Sequence, residues 1–366
     1  MPQIQEITSI LEKLAPLPYQ ESYDNAGLLV GNPQSEVKGV LISLDVTEEI
    51  IAEAIQKGCN LIVAHHPIVF KGLKKLNGKN YVERTVIKAI QNDIAIYATH
   101  TNLDHVHLGV NKQIADRLGL TQVRILAPKT QLLKKLTFFS PIDHTDQILN
   151  ALFQAGAGQI GNYSQCSFYT EGHGTFLPNE RAQPFIGTEG KQEQVLEHRA
   201  EVMFPAYMES KIISTLKNSH PYEEVAFYIQ LLENEHQEVG AGAIGTLPAE
   251  MDFDDFMQHL KSNMQTQVIR HTKPLQKKIS TVALCGGAGS FLLPQAMAAK
   301  ADVYITGDYK YHEFFDADQR IVICDIGHYE SEVFTKDLLY HYLSGFFSNF
   351  ALCLSEINTN PIQYYV

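Results

Sequence analysis

The sequence predicts an α/β fold in which two similar three-layer α/β lobes form a core domain, interrupted by an inserted ferredoxin-like α+β domain. Three observations lead there. Apolar runs of strand length alternate with amphipathic stretches of helix length near both ends of the chain. A middle segment of different texture orders its elements strand, helix, strand, strand, helix, strand. The 366 residues also exceed one domain at about 150 residues each, and suffice to bury substantial cores. The expected divisions are 1–126 for the first lobe, 127–237 for the insert and 238–366 for the second lobe.

In the first lobe VKGVLISLD reads as a strand, EEIIAEAIQKG as a helix and NLIVAHH as a strand. A second set comes next, with VERTVIKAIQND as helix, IAIYATH as strand and LGVNKQIADRLG as a helix bracketed by Gly109 and Gly119. The apolar runs are dense enough for strands covered on both faces. In the insert the order is LLKKLTFFS, DHTDQILNALFQAGAG, CSFYTEGHGTF, KQEQVLEHRAEVMFP, ESKIISTLKNS and EEVAFYIQLLE, a βαββαβ succession. The second lobe has TVALCGG, ADVYITG and IVICDIG as strands, SFLLPQAMAAK as a helix with Pro294 near its start, and SEVFTKDLLYHYLSGF as a long amphipathic helix. The order of elements in the two lobes is parallel, which weakly suggests an internal duplication.

The charge balance, 29 Lys and Arg against 41 Asp and Glu, excludes a general phosphate-backbone footprint, so nucleic acid is not an expected partner. Lys71, Lys74, Lys75 and Lys79 read as a solvated loop. The amino-terminal stretch MPQIQEITSILEKLAP has neither a basic n-region nor an apolar h-region, and no apolar run is long enough to span a bilayer. A cytoplasmic protein without membrane contact is expected. Five cysteines lie far apart without CxxC spacing, which predicts free thiols and no thiolate zinc cage.

Chemistry concentrates in three motifs. His65 and His66 leave the NLIVA strand together, at the edge where open α/β sheets place ligands. Adjacent side chains diverge in a strand, so each ring is expected to serve a different one of two neighbouring ions. THTNLDHVHLG supplies Asp104, with His100, His105 and His107 nearby. The Asp104 carboxylate can bridge two cations through its two oxygens, or simply cap a helix. In DIGHYESE, His328 and Glu332 stand four residues apart and share a face if a helix begins there, while Glu330 points to solvent. Together His65, His66, Asp104, His328 and Glu332 offer three nitrogens and two carboxylates. That set suits two divalent ions such as Zn, Fe, Mn or Co better than Ca.

Asn25, Asp45, Asp308 and His312 surround this core in the sequence motifs. Asp45 is either a helix N-cap or an acid/base group; Asp308 and His312 either orient ligands, position substrate or exchange protons. CGGAGS comes after a strand and precedes a helix, so its amides either hold an anion or form a tight turn.

DNAGLLVG, LIVAHHP, THTNLDHVHLGVN, GDYKYHE and GHYESE together resemble the dinuclear-metal family labelled GTP cyclohydrolase I type 2 homologues. The resemblance implies that His65, His66, Asp104, His328 and Glu332 hold two metals between two similar α/β lobes, with Glu332 and Asp104 as bridges. GAGQIGNYSQCSF, GTFLP and HPYEEVAFYI resemble the inserted domain of longer bacterial members, similar to the copper-tolerance and nitrogen-regulatory folds. The family further implies a toroidal homohexamer whose inserted domains cap the openings.

The activity expected is that of a metal-dependent hydrolase, acting on a nucleotide, phosphoester or cyclic amide through metal-activated water. The alternative is a non-catalytic, oligomeric metal-binding scaffold or regulator. Self-association and a small-molecule or nucleotide ligand are the expected partners.

Overall fold

The computed structural model describes residues 1–347 and 351–365. The chain is a mixed α/β structure that divides into two compact units, residues 1–127 with 238–366, and residues 128–237. Among the described residues no helix is long and apolar enough to cross a membrane. All five cysteines are free thiols.

The first unit contains two sheets. One has five strands in the order Gly27–Val30, Ala95–Ala98, Leu61–Ala64, Gly39–Ser43 and Ala351–Leu354. All neighbours are parallel except the first pair. The three central strands are buried along their whole length, which is why their sequences run apolar without alternation. On one face Leu41, Ile62 and Ile96 pack against Ile50, Ile51 and Ala54 of the helix Glu48–Gln56 and against Val86 and Ala89 of the helix Tyr81–Gln91. Both helices start on side-chain caps, Thr47 accepting from the Ile50 amide and Asn80 from the Glu83 amide.

The other sheet has six strands in the order Arg270–His271, Val322–Asp325, Val303–Gly307, Ile279–Ala288, His236–Met251 and Thr121–Lys129. Ile279–Ala288, Val303–Gly307 and Val322–Asp325 run parallel, and the strands flanking them are antiparallel. Ala283, Tyr304 and Ile323 form its core with Leu292, Leu293 and Ala296.

The lobe boundaries expected from sequence do not coincide with the sheets. Thr121–Lys129, placed by sequence mostly in the first lobe, is the edge strand of the second sheet, and Ala351–Leu354 from the last segment completes the first. The residues just beyond Ala351–Leu354 fasten that strand in place. Ser355 N–H donates to the Ile42 carbonyl at 2.8 Å, and buried Glu53 accepts from Ser355 Oγ and the Glu356 amide.

The second unit has four strands in the order Ser167–Phe176, Glu193–Pro205, Leu133–Pro141 and Phe227–Leu232, all antiparallel. The helices Thr145–Ala155 and Glu209–Ser219 supply Ile148, Leu149, Leu152, Ile212 and Leu216 to a core with Leu136, Phe138, Ala200, Val202 and Phe204. Side chains two apart on Leu133–Pro141 and Glu193–Pro205 face the helices, as the pleat requires.

Candidate metal centre

Parallel strands from both sheets of the first unit end at one place. Leu61–Ala64 runs into His65 and His66, Ala95–Ala98 into Thr99 and His100, Val303–Gly307 into Asp308, and Val322–Asp325 into Gly327 and His328. The carboxyl ends of parallel strands are where open α/β folds gather ligands.

Two donor sets meet there. His65, Asp104 and Glu332 form one, and His66, His328 and Glu332 the other, with the candidate ligand atoms of each set within 4.8 Å of one another. Glu332 belongs to both. Its Oε1 lies 3.8 Å from His65 Nε2, whereas Oε2 lies 2.9 Å from His66 Nε2 and 3.0 Å from His328 Nε2. Asp104 Oδ1 is 3.6 Å from His65 Nε2. The shared carboxylate in this geometry is therefore Glu332, and Asp104 groups only with His65 and Glu332.

The adjacent imidazoles do not splay apart as a regular strand would make them. The amides of His65 and His66 both donate to the Leu44 carbonyl, so the backbone curls as it leaves the sheet and the ring centroids stay 4.9 Å apart. His65, His66 and His100 consequently form a third nitrogen cluster within the same 4.8 Å limit.

Each imidazole is oriented from behind. His65 Nδ1 lies 2.8 Å from the Thr99 carbonyl, an acceptor only, so Nδ1 donates there and Nε2 is turned toward Asp104 and Glu332. His66 Nδ1 is 2.7 Å from Asp45 Oδ1, and Asp45 in turn accepts from Thr359 Oγ1. His328 Nδ1 is 2.8 Å from Asp308 Oδ2. Asp45 and Asp308 thus sit behind ligand candidates, a carboxylate–histidine arrangement that fixes ring orientation and raises nitrogen basicity. His100 Nδ1 is held in the same way by Asp24 Oδ1 at 2.8 Å.

Asp24, next to Asn25 in the chain, carries no mark in the sequence that singles it out. Its carboxylate also accepts from the Thr101 amide and hydroxyl. Burial opposes its charge, but the bonds from His100 and Thr101 prevail and hold it well below the ordinary carboxylate range. Asn25 itself donates to the Val69 carbonyl at 2.6 Å and so fastens the loop after His66 rather than touching the cluster. His312 is exposed, its ring against Tyr311 and Phe315. Asp308, at φ 56° in the turn after Val303–Gly307, is not on one helix with His312, so their four-residue separation does not bring them together. Glu330, expected in solvent, accepts from Asn360 Nδ2.

The glycines of CGGAGS are packing devices. Gly286 N–H donates to Asn111 Oδ1, Gly287 N–H to Ser331 Oγ and Gly289 N–H to Thr306 Oγ1, which leaves none of these three amides for an anion. Gly287 has φ 62°, and a Cβ there would lie 2.4 Å from Glu332 Oε1. Only glycine lets the loop approach the shared carboxylate so closely.

The charges of the cluster hold one another in place. Burial alone would deprotonate His66, yet Asp45 and Glu332 raise it to about 10. His328 rises against the same penalty to about 9 through Glu332 and Asp308. Burial disfavours the Glu332 charge too, but His328 and its neighbours hold the carboxyl well below its usual range. Asp104 is pushed up to about 7 by burial and then by the Glu332 charge.

Buried His65 Nε2 and Asp104 Oδ1 have no hydrogen-bond partner among the described residues. Two orphaned donor atoms beside one carboxylate are costly in a protein interior, and a cation would satisfy them. Three imidazoles and two carboxylates suit borderline divalent ions. The cluster opens into a cleft of about 410 Å³ bordered by Tyr23, Phe70 and Phe291, and no Lys or Arg is among the residues lining it.

The chain is similar over almost its whole length to known proteins. It is 38% identical to the GTP cyclohydrolase 1 type 2 homolog of Bacillus subtilis (strain 168), with 98% of each chain covered. It is 35% identical to that of Staphylococcus epidermidis, with 99% of each covered. Among solved structures, a Bacillus cereus protein related to NIF3 superposes with a TM-score of 0.88 at 39% identity, covering 100% of this chain and 99% of the other. Staphylococcus aureus protein SA1388 gives a TM-score of 0.80 at 33% identity, with 100% and 99% covered. A family model matches residues 2–361, and with that full-length agreement the chain belongs to the Duf34/NIF3 (NGG1p interacting factor 3) family.

Proposed function

We propose that this protein binds two divalent cations at His65, His66, Asp104, His328 and Glu332 and acts as a metal-dependent hydrolase. The observation that carries the reading is the Glu332 carboxylate, with one oxygen facing His65 and the other facing His66 and His328, beside the orphaned Asp104 Oδ1. Cations held there supply Lewis acidity and lower the pKa of water. The chain's own groups do the rest. Asp45 and Asp308 hold His66 and His328 in position, and Asp24 aims His100 into the cleft, where its Nε2 can take or return a proton. Tyr23, Phe70 and Phe291 offer faces for an apolar or ring-shaped substrate.

Among nucleotides, phosphoesters and cyclic amides, the cleft favours a substrate with little charge beyond the reacting group. The curated relatives carry a GTP cyclohydrolase name, but a triphosphate would find no lysine or arginine among the lining residues. That same scarcity is what favours the second reading, a non-catalytic metal-binding scaffold or regulator. We also propose that residues 128–237 are a ferredoxin-like module set between two related α/β lobes, a reading supported by their βαββαβ order and antiparallel strands. Cytoplasmic residence and a homohexamer complete the proposal, and light scattering on the purified chain tests the assembly.

The deciding experiment loads metal-free protein with Mn, Fe, Co or Zn in turn and screens nucleotides, phosphoesters and cyclic amides for turnover. Hydrolysis that disappears in the Glu332→Gln variant supports the reading. Saturable metal binding with no turnover in any metal form supports the scaffold instead.

A further inference from the structure

A second cavity lies wholly within residues 128–237, with a volume of about 380 Å³. Phe139, Phe176, Phe185 and Tyr222 line it together with prolines and aliphatic groups. Its polar side is acidic. Glu197 is 7% exposed and accepts from Tyr222 Oη at 2.9 Å, and Glu223 and Glu224 stand at the wall. No lysine, arginine or histidine is among the lining residues. Arg199, two positions along the strand from Glu197, is committed to Glu201 at 2.8 Å.

The local sequence keeps this carboxylate in place. Position 174 on the neighbouring strand is glycine, and a Cβ there would lie 1.9 Å from Glu197 Oε2. Any larger residue would expel the carboxylate from its niche. The Phe185 and Tyr222 rings stand 6.2 Å apart at 49°. Aromatic faces attract cations through their quadrupole, and a desolvated carboxylate adds a directed charge partner. A concave, mostly apolar pocket with one convergent polar group is the usual form of a small-molecule site.

We propose that this cavity binds a small organic cation, an ammonium group carried on an apolar body. The ammonium lies against the aromatic rings and donates to Glu197, while the apolar body fills the proline and aliphatic side. Anionic ligands, nucleotides included, are repelled by the same three carboxylates. This inference does not depend on the metal centre.

The test titrates the full chain by calorimetry with three probes of one shape: phenethylammonium, neutral 2-phenylethanol and anionic 3-phenylpropanoate. The ammonium should bind saturably, the alcohol about tenfold or more weaker, and the carboxylate not measurably. Glu197→Gln should weaken the ammonium about tenfold or more while sparing the alcohol, and Glu332→Gln should change neither. Should Glu197→Gln fail to fold, Phe185→Ala removes an exposed ring without touching the core and should lower ammonium affinity severalfold. Absence of saturable ammonium binding, equal binding of the alcohol, or an unchanged affinity in the folded variants would overturn the proposal.

Discussion

The two donor sets of the candidate centre share Glu332 but are built by opposite means. On one side His65 is wholly buried, its tautomer locked by a neutral backbone carbonyl, and its free nitrogen is orphaned beside Asp104. On the other side His66 and His328 are locked by carboxylates, and His328 retains 34% exposure. The first set therefore offers a single imidazole, held from behind by a carbonyl, beside the Asp104 and Glu332 carboxylates. The second is an ion-pair network of the protein's own, from which a cation must displace protons. Metal uptake at the second set should accordingly release protons and depend on pH more steeply.

The largest effect should come from breaking what the two sides share. Glu332→Gln should abolish tight metal binding at both sets, read as metal content by mass spectrometry. It should also lower metal-free stability by about 2–3 kcal/mol, once the partial exposure of His328 is allowed for. His65→Ala separates the sides: it should remove one metal equivalent and leave the His66 and His328 set loaded. Loss of both equivalents would show that the two sets do not fill independently.

Next come the orienting carboxylates. Asp45→Asn and Asp308→Asn should each weaken metal binding about 10- to 100-fold, confined to the His66 and His328 side. A uniform loss across both sides would erase the contrast.

A pH series adds a further distinction. His66 and His328 are raised in the folded, metal-free protein to about 10 and about 9. Their contribution to stability is complete below the ordinary histidine value of 6.5 and is lost as pH rises through about 9 and 10. Melting temperature in chelator should fall over that range, and the fall should flatten in Asp45→Asn. The smallest effect is expected at His312, an exposed residue whose ring lies against its neighbours Tyr311 and Phe315. His312→Ala should leave metal content unchanged.

Much of this is legible in the residues and some is hidden. The helix Ile4–Leu14 is absent from the elements read above although its signal is in the residues: Ile4, Ile7, Thr8 and Leu11 are buried at helical spacing, opposite exposed Gln5, Glu6 and Ser9. Asp24 escapes it because a carboxylate beside a turn has no local mark of its role; only the fold brings His100 and Thr101 to it from about 77 positions away. The strand Ala351–Leu354 is too short to announce itself, and its partner Gly39–Ser43 lies some 300 residues earlier.

The order of residues dictates the kind of chemistry and the local elements: histidines and carboxylates at the ends of apolar strands, and the periodicities that make those strands and helices. Short-range sterics and the burial of one face are enough to impose them. Long-range packing was needed to make Glu332 the shared carboxylate and to stand Asp45 and Asp308 behind imidazoles. It likewise kept His312 apart from them and let the chain's last strand complete its first sheet. The shared Glu332 and the completed sheet depend on contacts across more than 250 residues, and the Asp45 and Asp308 contacts on neighbouring strand ends about 20 residues apart, which no local pattern of side chains encodes.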